Sequence, residues 1–213
     1  MFGTDGKALS GKAGYAKVIS RYDARNALVE QAYFGTDGEP VLDEDGYARV
    51  TYVRDNHGQV IETAFFGTNG QPIQQKHGYA RIIARYDDYG AFVEEMYFGV
   101  NGEPVSTDGR FARVSVMTDK LGRQVEWAYF GVRGEPAIGP EDRPFHRARR
   151  IPDERDNELE LATFGTDGEP LEVMDATSGR RCAKLVRHFD ATNKEIDSEC
   201  FDAAGNLTSK KNQ

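Results

Sequence analysis

Phe34-Gly35-Thr36-Asp37-Gly38-Glu39-Pro40 decides how this chain is read. The heptapeptide returns as Phe66-Gly67-Thr68-Asn69-Gly70-Gln71-Pro72 and Phe98-Gly99-Val100-Asn101-Gly102-Glu103-Pro104, then from Phe130 and from Phe164. Phe34, Phe66, Phe98 and Phe130 follow one another at steps of 32 residues. A fixed period of this length marks a repeat array, in which each repeat is one supersecondary element that buries its apolar surface against its neighbours.

Outward from the heptapeptide, one repeat resolves into two strands and their turns. Tyr47-Ala48-Arg49-Val50-Thr51-Tyr52-Val53-Arg54 is rich in β-branched and aromatic residues and reads as a strand. Asp55-Asn56-His57-Gly58 reads as a turn with Gly58 at positive φ, and Val60 to Phe66 as the returning strand. Asn69-Gly70 is a second tight-turn signal, and Pro72 confines its own segment to an edge or a loop. The columns persist: aromatic Tyr15, Tyr47, Tyr79, Phe111, Phe145; basic Lys17, Arg49, Arg81, Arg113, Arg147, Lys184; turn acid Asp23, Asp55, Asp87, Asp119, Asp153, Asp190; strand acid Glu30, Glu62, Glu94, Glu126, Glu160, Asp197. No segment keeps a helical period. The fold class is therefore all-β: tandem antiparallel β-hairpin repeats forming an elongated twisted sheet or solenoid. The expected hairpins are 15–34, 47–66, 79–98, 111–130, 145–164 and 182–201, one array over 1–213, with 202–213 a cap and frayed polar tail.

Two registers fit each hairpin. A three-residue loop with left-handed Gly58 places Ala48, Val50 and Tyr52 on the face of Phe66, Ala64 and Val60. A two-residue loop moves Tyr47 and Arg49 onto the face of Phe66 and Glu62, because a one-residue slip exchanges faces. The aspartate-x-x-glycine pattern favours the first. In either register the repeating Phe is expected to bury against its neighbours.

Composition bounds the function. A net charge of −8 in 213 residues disfavours nucleic acid as a partner, since that affinity needs Lys and Arg to neutralise phosphates. The 38% hydrophobic content and mean hydropathy of −0.64 suit an array with much exposed surface. No membrane-length apolar run and no leader-like segment is visible. Met1 directly precedes Phe2-Gly3-Thr4-Asp5-Gly6, the tail of a repeat, so the chain is expected to be a piece of a longer protein; a natural start with an atypical terminal repeat is the other reading. Cys182 and Cys200 are expected as two reduced, partly buried thiols, because diagonal neighbours fit the Cα spacing of a disulfide poorly.

Tyr86-Asp87-Asp88-Tyr89-Gly90 resembles the tyrosine-aspartate-x-x-glycine step of YD (RHS-type) repeats, and Tyr97-Phe98-Gly99-Val100-Asn101-Gly102 resembles the hairpins of MORN-like repeats and, more loosely, of choline-binding repeats. The 32-residue repeat is longer than theirs, and the tryptophan–glycine steps of the MORN type are missing. The resemblance implies chained antiparallel hairpins used for binding or encapsulation, and no catalytic residues.

The chemistry of the side chains points the same way. The Arg49 and Glu62 columns read as a ladder of cross-strand ion pairs rather than a ligand-reading stripe. Asp43-Glu44-Asp45 invites a calcium reading, but Gln74-Gln75-Lys76-His77 occupies the equivalent loop without carboxylates, which disfavours the six to eight oxygens calcium needs. The four histidines fall in unrelated columns, with no zinc spacing and no serine–histidine or cysteine–histidine signature. No enzyme activity and no cofactor are expected. Arginines crowd from Arg143 to Arg187, interleaved with Asp153, Glu154, Asp156 and Glu158; the interleaved acids favour a paired, solvated face, and a basic patch for a phosphate-bearing or acidic partner is the minority reading.

Trp127, the sole tryptophan, stands where other repeats carry Gln31, Thr63 and Glu95, and is expected to face solvent. Tyr129, Arg113 and Met117 share its face under the favoured register, and Arg147 and Arg149 extend it. Tryptophan, tyrosine and arginine are enriched at binding hot spots. The candidate binding surface is thus Trp127, Tyr129, Arg113, Met117, Arg147 and Arg149; the competing reading is that Trp127 covers the long linker between Pro136 and Pro144. The expected function is a non-enzymatic repeat module for protein–protein interaction or scaffolding. The alternative is a surface or secreted glycan-binding module. An apolar groove with a charged rim favours a protein, and exposed aromatics alternating with polar groups favour a glycan.

Overall fold

The computed structural model describes residues 14–175 and 179–212, so the repeat tail at 2–6 lies outside the described residues. Among the described residues there is no helix. The strands are β1 (Lys17–Tyr22), β2 (Leu28–Phe34), β3 (Arg49–Arg54), β4 (Val60–Phe66), β5 (Arg81–Tyr86), β6 (Phe92–Phe98), β7 (Arg113–Thr118), β8 (Gln124–Phe130), β9 (Arg147–Pro152), β10 (Glu158–Phe164), β11 (Val173–Met174), β12 (Arg181–Cys182), β13 (Lys184–Phe189), β14 (Glu195–Phe201) and β15 (Leu207–Asn212). The fold is all-β, built of tandem antiparallel hairpins. The chain divides into two compact units, Met1–Tyr86 with Glu95–Ala112, and Asp87–Glu94 with Arg113–Gln213. In the first, β1 to β5 pair antiparallel in chain order. In the second, β7, β8, β9, β10, β13, β14 and β15 do the same, while β11 and β12 form a small separate ribbon.

The turn acids hold the hairpins. Asp55 Oδ1 accepts the N–H groups of His57 and Gln59, both at 2.9 Å, and Gly58 supplies the left-handed residue at φ 86°. Asp23, Asp87, Asp119, Asp153 and Asp190 accept the same pair of bonds. The heptapeptide is a second turn: Gly35 N–H donates to Glu39 C=O at 2.9 Å, and Phe34 bridges to Pro40.

The favoured register holds only at the turn. Arg54 lies opposite Val60, as a three-residue loop requires, but Val53 lies opposite Glu62, so Ile61 has no partner. This β-bulge adds one residue to the returning strand and exchanges every face beyond it. Arg49 therefore opposes Phe66, and Val50 opposes Phe65. Val29, Val125, Leu159 and Ile196 are bulged at the same place in their hairpins. The expectation that Ala48, Val50 and Tyr52 share a face with Phe66 and Ala64 is thus corrected.

The two faces differ in chemistry. On one, Tyr33, Phe65, Tyr97 and Tyr129 are buried and stack with the aromatic column. The centroid spacings from Tyr15 through Tyr33, Tyr47, Phe65, Tyr79 and Tyr97 to Phe111 run between 4.8 and 5.8 Å. Burying such side chains stabilises by about 1.5–3 kcal/mol each. On the other face the repeating Phe is only half-buried, contrary to expectation, and a cation covers it: Arg49 over Phe66 and Arg113 over Phe130 at 4.0 Å, Arg81 over Phe98 at 5.1 Å, Arg147 over Phe164 at 4.6 Å, Lys184 over Phe201 at 4.7 Å. The same cations meet the acid of the preceding strand, as in Arg49–Glu30 at 3.1 Å and Arg113–Glu94 at 2.8 Å.

The last repeat departs twice more from its expected form. Ser209 to Asn212, expected to fray, belong to β15, which pairs with β14. Cys182 and Cys200, expected as free thiols, form a disulfide with a Cα–Cα distance of 5.4 Å. The chain bends at Ala183 between β12 and β13, which brings Cys182 closer than a straight diagonal would.

Candidate functional site

Trp127 begins the site. The bulge at Val125 turns it onto the face of Val116 and Ala148, its partners on either side, and of Tyr129 two residues on. The expected solvent exposure is overturned: Trp127 is half-buried, with its ring centroid 6.3 Å from that of Phe145, and the indole N–H is out of water. Arg113 and Met117 oppose Phe130 and Glu126, and Arg147 and Arg149 oppose Ala128 and Glu126, on the reverse face. The six residues read as one surface are thus split, Trp127 and Tyr129 on one side and the other four together on the other. Met117 and Arg149 are exposed, while Arg147 covers Phe164.

Beside Trp127 is an apolar cavity of about 190 Å³. Its floor is Trp127, Phe145, Leu161 and Leu185; its walls are Asp142 to Pro144 and the ribbon residues Val173, Met174 and Asp175; Cys182 of the disulfide closes one side. Both linkers that break the 32-residue period are used here. The loop before β9 comes close because Gly139 packs against Tyr129, where a Cβ would stand 2.5 Å from the ring. Burial raises the Tyr129 phenol above its ordinary pKa, opposed by its hydrogen bond with Arg143.

The ribbon of β11 and β12 is held at several points. Asp175 pairs with Arg187 at 3.0 Å, Arg180 donates to Ser198 Oγ at 2.7 Å, and Arg181 donates to Glu172 C=O at 3.0 Å. Arg187, itself buried, also meets Glu158, and Glu195 at 3.7 Å. Arg150 pairs with Asp156 at 2.5 Å. Tyr52, Ala84 and Val116 occupy this column in earlier repeats, so the switch to Arg150 and Arg187 pins the last repeats by charge. Many arginines of the basic stretch are engaged within the chain, as the interleaved acids lead one to expect.

The charged rim and apolar floor suit an inserted apolar side chain. The cavity is small beside the roughly 300–1,000 Å³ typical of small-molecule pockets. Among the described residues no three His, Cys, Asp or Glu side chains gather where they could hold a metal ion. The tryptophan is legible in the sequence as an outlier; what hides its environment is the bulge, together with the ribbon folded from the linker at 171–183.

No protein-family model and no curated protein matches the sequence. Among solved structures, the chain is similar to part of a chain in the Photorhabdus luminescens Tc holotoxin pore carrying the mutation TccC3-D651A, with a TM-score of 0.50 and 13% identity over 91% of this chain. It is also similar to part of the TcdB2-TccC3-TEV crystal structure, with a TM-score of 0.51 and 14% identity over 92% of this chain. The match spans 9% of each of those chains. At such identity the likeness shows the fold alone, which is that of a tandem β-hairpin repeat module.

Proposed function

We propose that this chain is a non-enzymatic repeat module that serves protein–protein interaction or scaffolding, and that its partner inserts an apolar side chain beside Trp127. The observation that carries the reading is the cavity itself, with an apolar floor of Trp127, Phe145, Leu161 and Leu185 and a rim of Asp142, Arg143 and Asp175. Aromatic anchors entering such pockets dominate interface energetics, and charged rims set orientation. The regular columns are consumed in building the hairpins, so the departures from them are where a partner would be read. Likeness to a small part of much longer toxin chains supports a role as one structural segment among others.

Selection of a random peptide display library on the immobilised chain tests this, with Met174→Glu as the comparison. Met174 lines the cavity yet is 58% exposed, so the substitution adds charge at the mouth without removing core. Enriched peptides are expected to share one bulky apolar residue and to bind Met174→Glu about tenfold more weakly, about 1.4 kcal/mol. Peptides that bind both proteins equally, or a glycan array that gives the only binding, would overturn the reading.

A further inference from the structure

Four hairpin junctions along this chain share one pattern. Glu30, Gln31 and Ala32 of β2 oppose Thr51, Val50 and Arg49 of β3, and Tyr33 N–H donates to Ala48 C=O at 2.9 Å. The same register joins β4 to β5, β8 to β9 and β10 to β13, with N–H groups of Phe65, Tyr129 and Thr163 donating to the carbonyls of Ala80, His146 and Ala183. In all four, the covering strand reads Glu-x-Ala-x-Phe: Glu30 to Phe34, Glu62 to Phe66, Glu126 to Phe130 and Glu160 to Phe164.

β1 has the same character as the strands so covered. Ala16 N–H donates to Phe34 at 2.8 Å, as Ala48 N–H does to Phe66. Lys17 stands in the column of Arg49 and Lys184, which meet Glu30 and Glu160 of the covering strand. Among the described residues, however, β1 pairs on one side only. Val18 is 37% exposed where Val50 and Leu185, in the same column, are 1% and 2% exposed.

We infer that the outer edge of β1 is a docking edge for one antiparallel strand of the pattern Glu-x-Ala-x-Phe, supplied by another hairpin of this repeat type. Its glutamate lies beside Lys17, its second residue covers Val18, and its fourth residue donates an N–H to the Ala16 carbonyl. Main-chain pairing gives such strand addition its affinity, and the alternating side chains give it specificity. Head-to-tail stacking of this chain does not supply that strand: β15 contains Lys210 and Lys211 and no acid. This edge is separate from the Trp127 cavity, and the inference stands whether or not a partner binds there.

The test uses a labelled peptide copying Gly58–Pro72 and the full chain, read by fluorescence anisotropy. Saturable binding is expected. Glu62→Lys in the peptide is expected to weaken it about fivefold, since like charges across a strand pair destabilise it. Lys17→Glu in the protein, an exposed position, is expected to reverse that preference. No saturable binding, equal binding of the two peptides by both proteins, or concentration-dependent self-association of the chain with no peptide uptake would overturn the inference.

Discussion

The guanidinium of Arg49 lies 4.0 Å over the ring of Phe66, the residue directly opposite it across the hairpin. The same guanidinium donates to Glu30 of the preceding hairpin at 3.1 Å. One side chain thus closes its own hairpin through the ring face and joins it to its neighbour through charge. Half-exposed cation–π contacts and ion pairs each contribute about 0.5–1 kcal/mol. Arg49→Ala is expected to lower stability by about 1 kcal/mol, with Arg49→Lys recovering part of the loss. Urea midpoints of the two variants check this, and an unchanged midpoint for Arg49→Ala would contradict it.

The bulge makes a sharper prediction. Ile61 has no partner, so deleting it leaves Arg54 opposite Val60 and Val53 opposite Glu62 and keeps Phe65 opposite Val50, whereas deleting the paired residue Thr63 slips Phe65 onto the other face. The Thr63 deletion is expected to cost about 3 kcal/mol or more, because an aromatic is expelled from the buried face, and the Ile61 deletion clearly less. Denaturant unfolding of the two variants checks this. A loss for the Ile61 deletion as large as that for Thr63 would show that Ile61 is not the extra residue of the strand.

How much of the fold is legible in the sequence turns on particular residues. Asp55 and Gly58 announce the turn by their own chemistry, and both do in the structure what the sequence says. The aromatic column of Tyr47 and Tyr79 is equally plain. The bulge is not, because Val60-Ile61 satisfies a strand in either frame. Its signal is an apolar residue just before the strand acid, Val29, Ile61, Val125, Leu159 and Ile196, which is doubled in Leu28-Val29 and Val60-Ile61 but follows a polar residue in Gln124-Val125, Glu158-Leu159 and Glu195-Ile196. Trp127 depends on that frame, and an unbroken alternation puts it on the wrong face. Cys182 and Cys200 are misjudged for a related reason: the bend at Ala183 recurs at Ala16, Ala48, Ala80 and Ala112, where it brings Tyr47 onto Phe65 and Tyr79 onto Tyr97, and a straight strand drawn from the sequence leaves it out.

The disulfide closes a loop with a sequence separation of 18 residues, which constrains the unfolded chain by about 3 kcal/mol. Reduction is expected to lower the denaturant midpoint accordingly. The oxidised protein should take up no alkylating reagent when unfolded, as intact mass reports. Alkylation of both thiols before any reductant is added would contradict the pairing.

Stability should fall at both ends of the pH range for opposite reasons. Hydrogen bonds from Arg123, Asn157, Thr192 and Asn206 hold the carboxyls of Asp119, Asp153, Asp190 and Asp202 below their ordinary pKa. Their contribution is complete above the unfolded value of about 4 and is lost as the pH falls through the lower folded values. Burial raises the phenols of Tyr33, Tyr47 and Tyr129, and pushes Tyr79 up to about 12. Their contribution is complete below about pH 10 and is lost as the pH rises toward the folded values. Thermal midpoints should therefore be flat between these limits. Phenolate absorbance should rise together with unfolding at the alkaline end, and titration of all tyrosines at the ordinary pKa in a folded protein would contradict the buried ladder.

The emission of Trp127 tests the central claim most directly, since it is the only tryptophan in the chain. The measurement is its spectrum and its quenching by iodide, free and during titration with a peptide selected on the chain. A blue-shifted, weakly quenched band that changes saturably with peptide, and responds far less in Met174→Glu, is the predicted result. A red-shifted band that iodide quenches freely and peptide leaves unchanged would contradict both the placement of Trp127 on the apolar face and the docking site beside it.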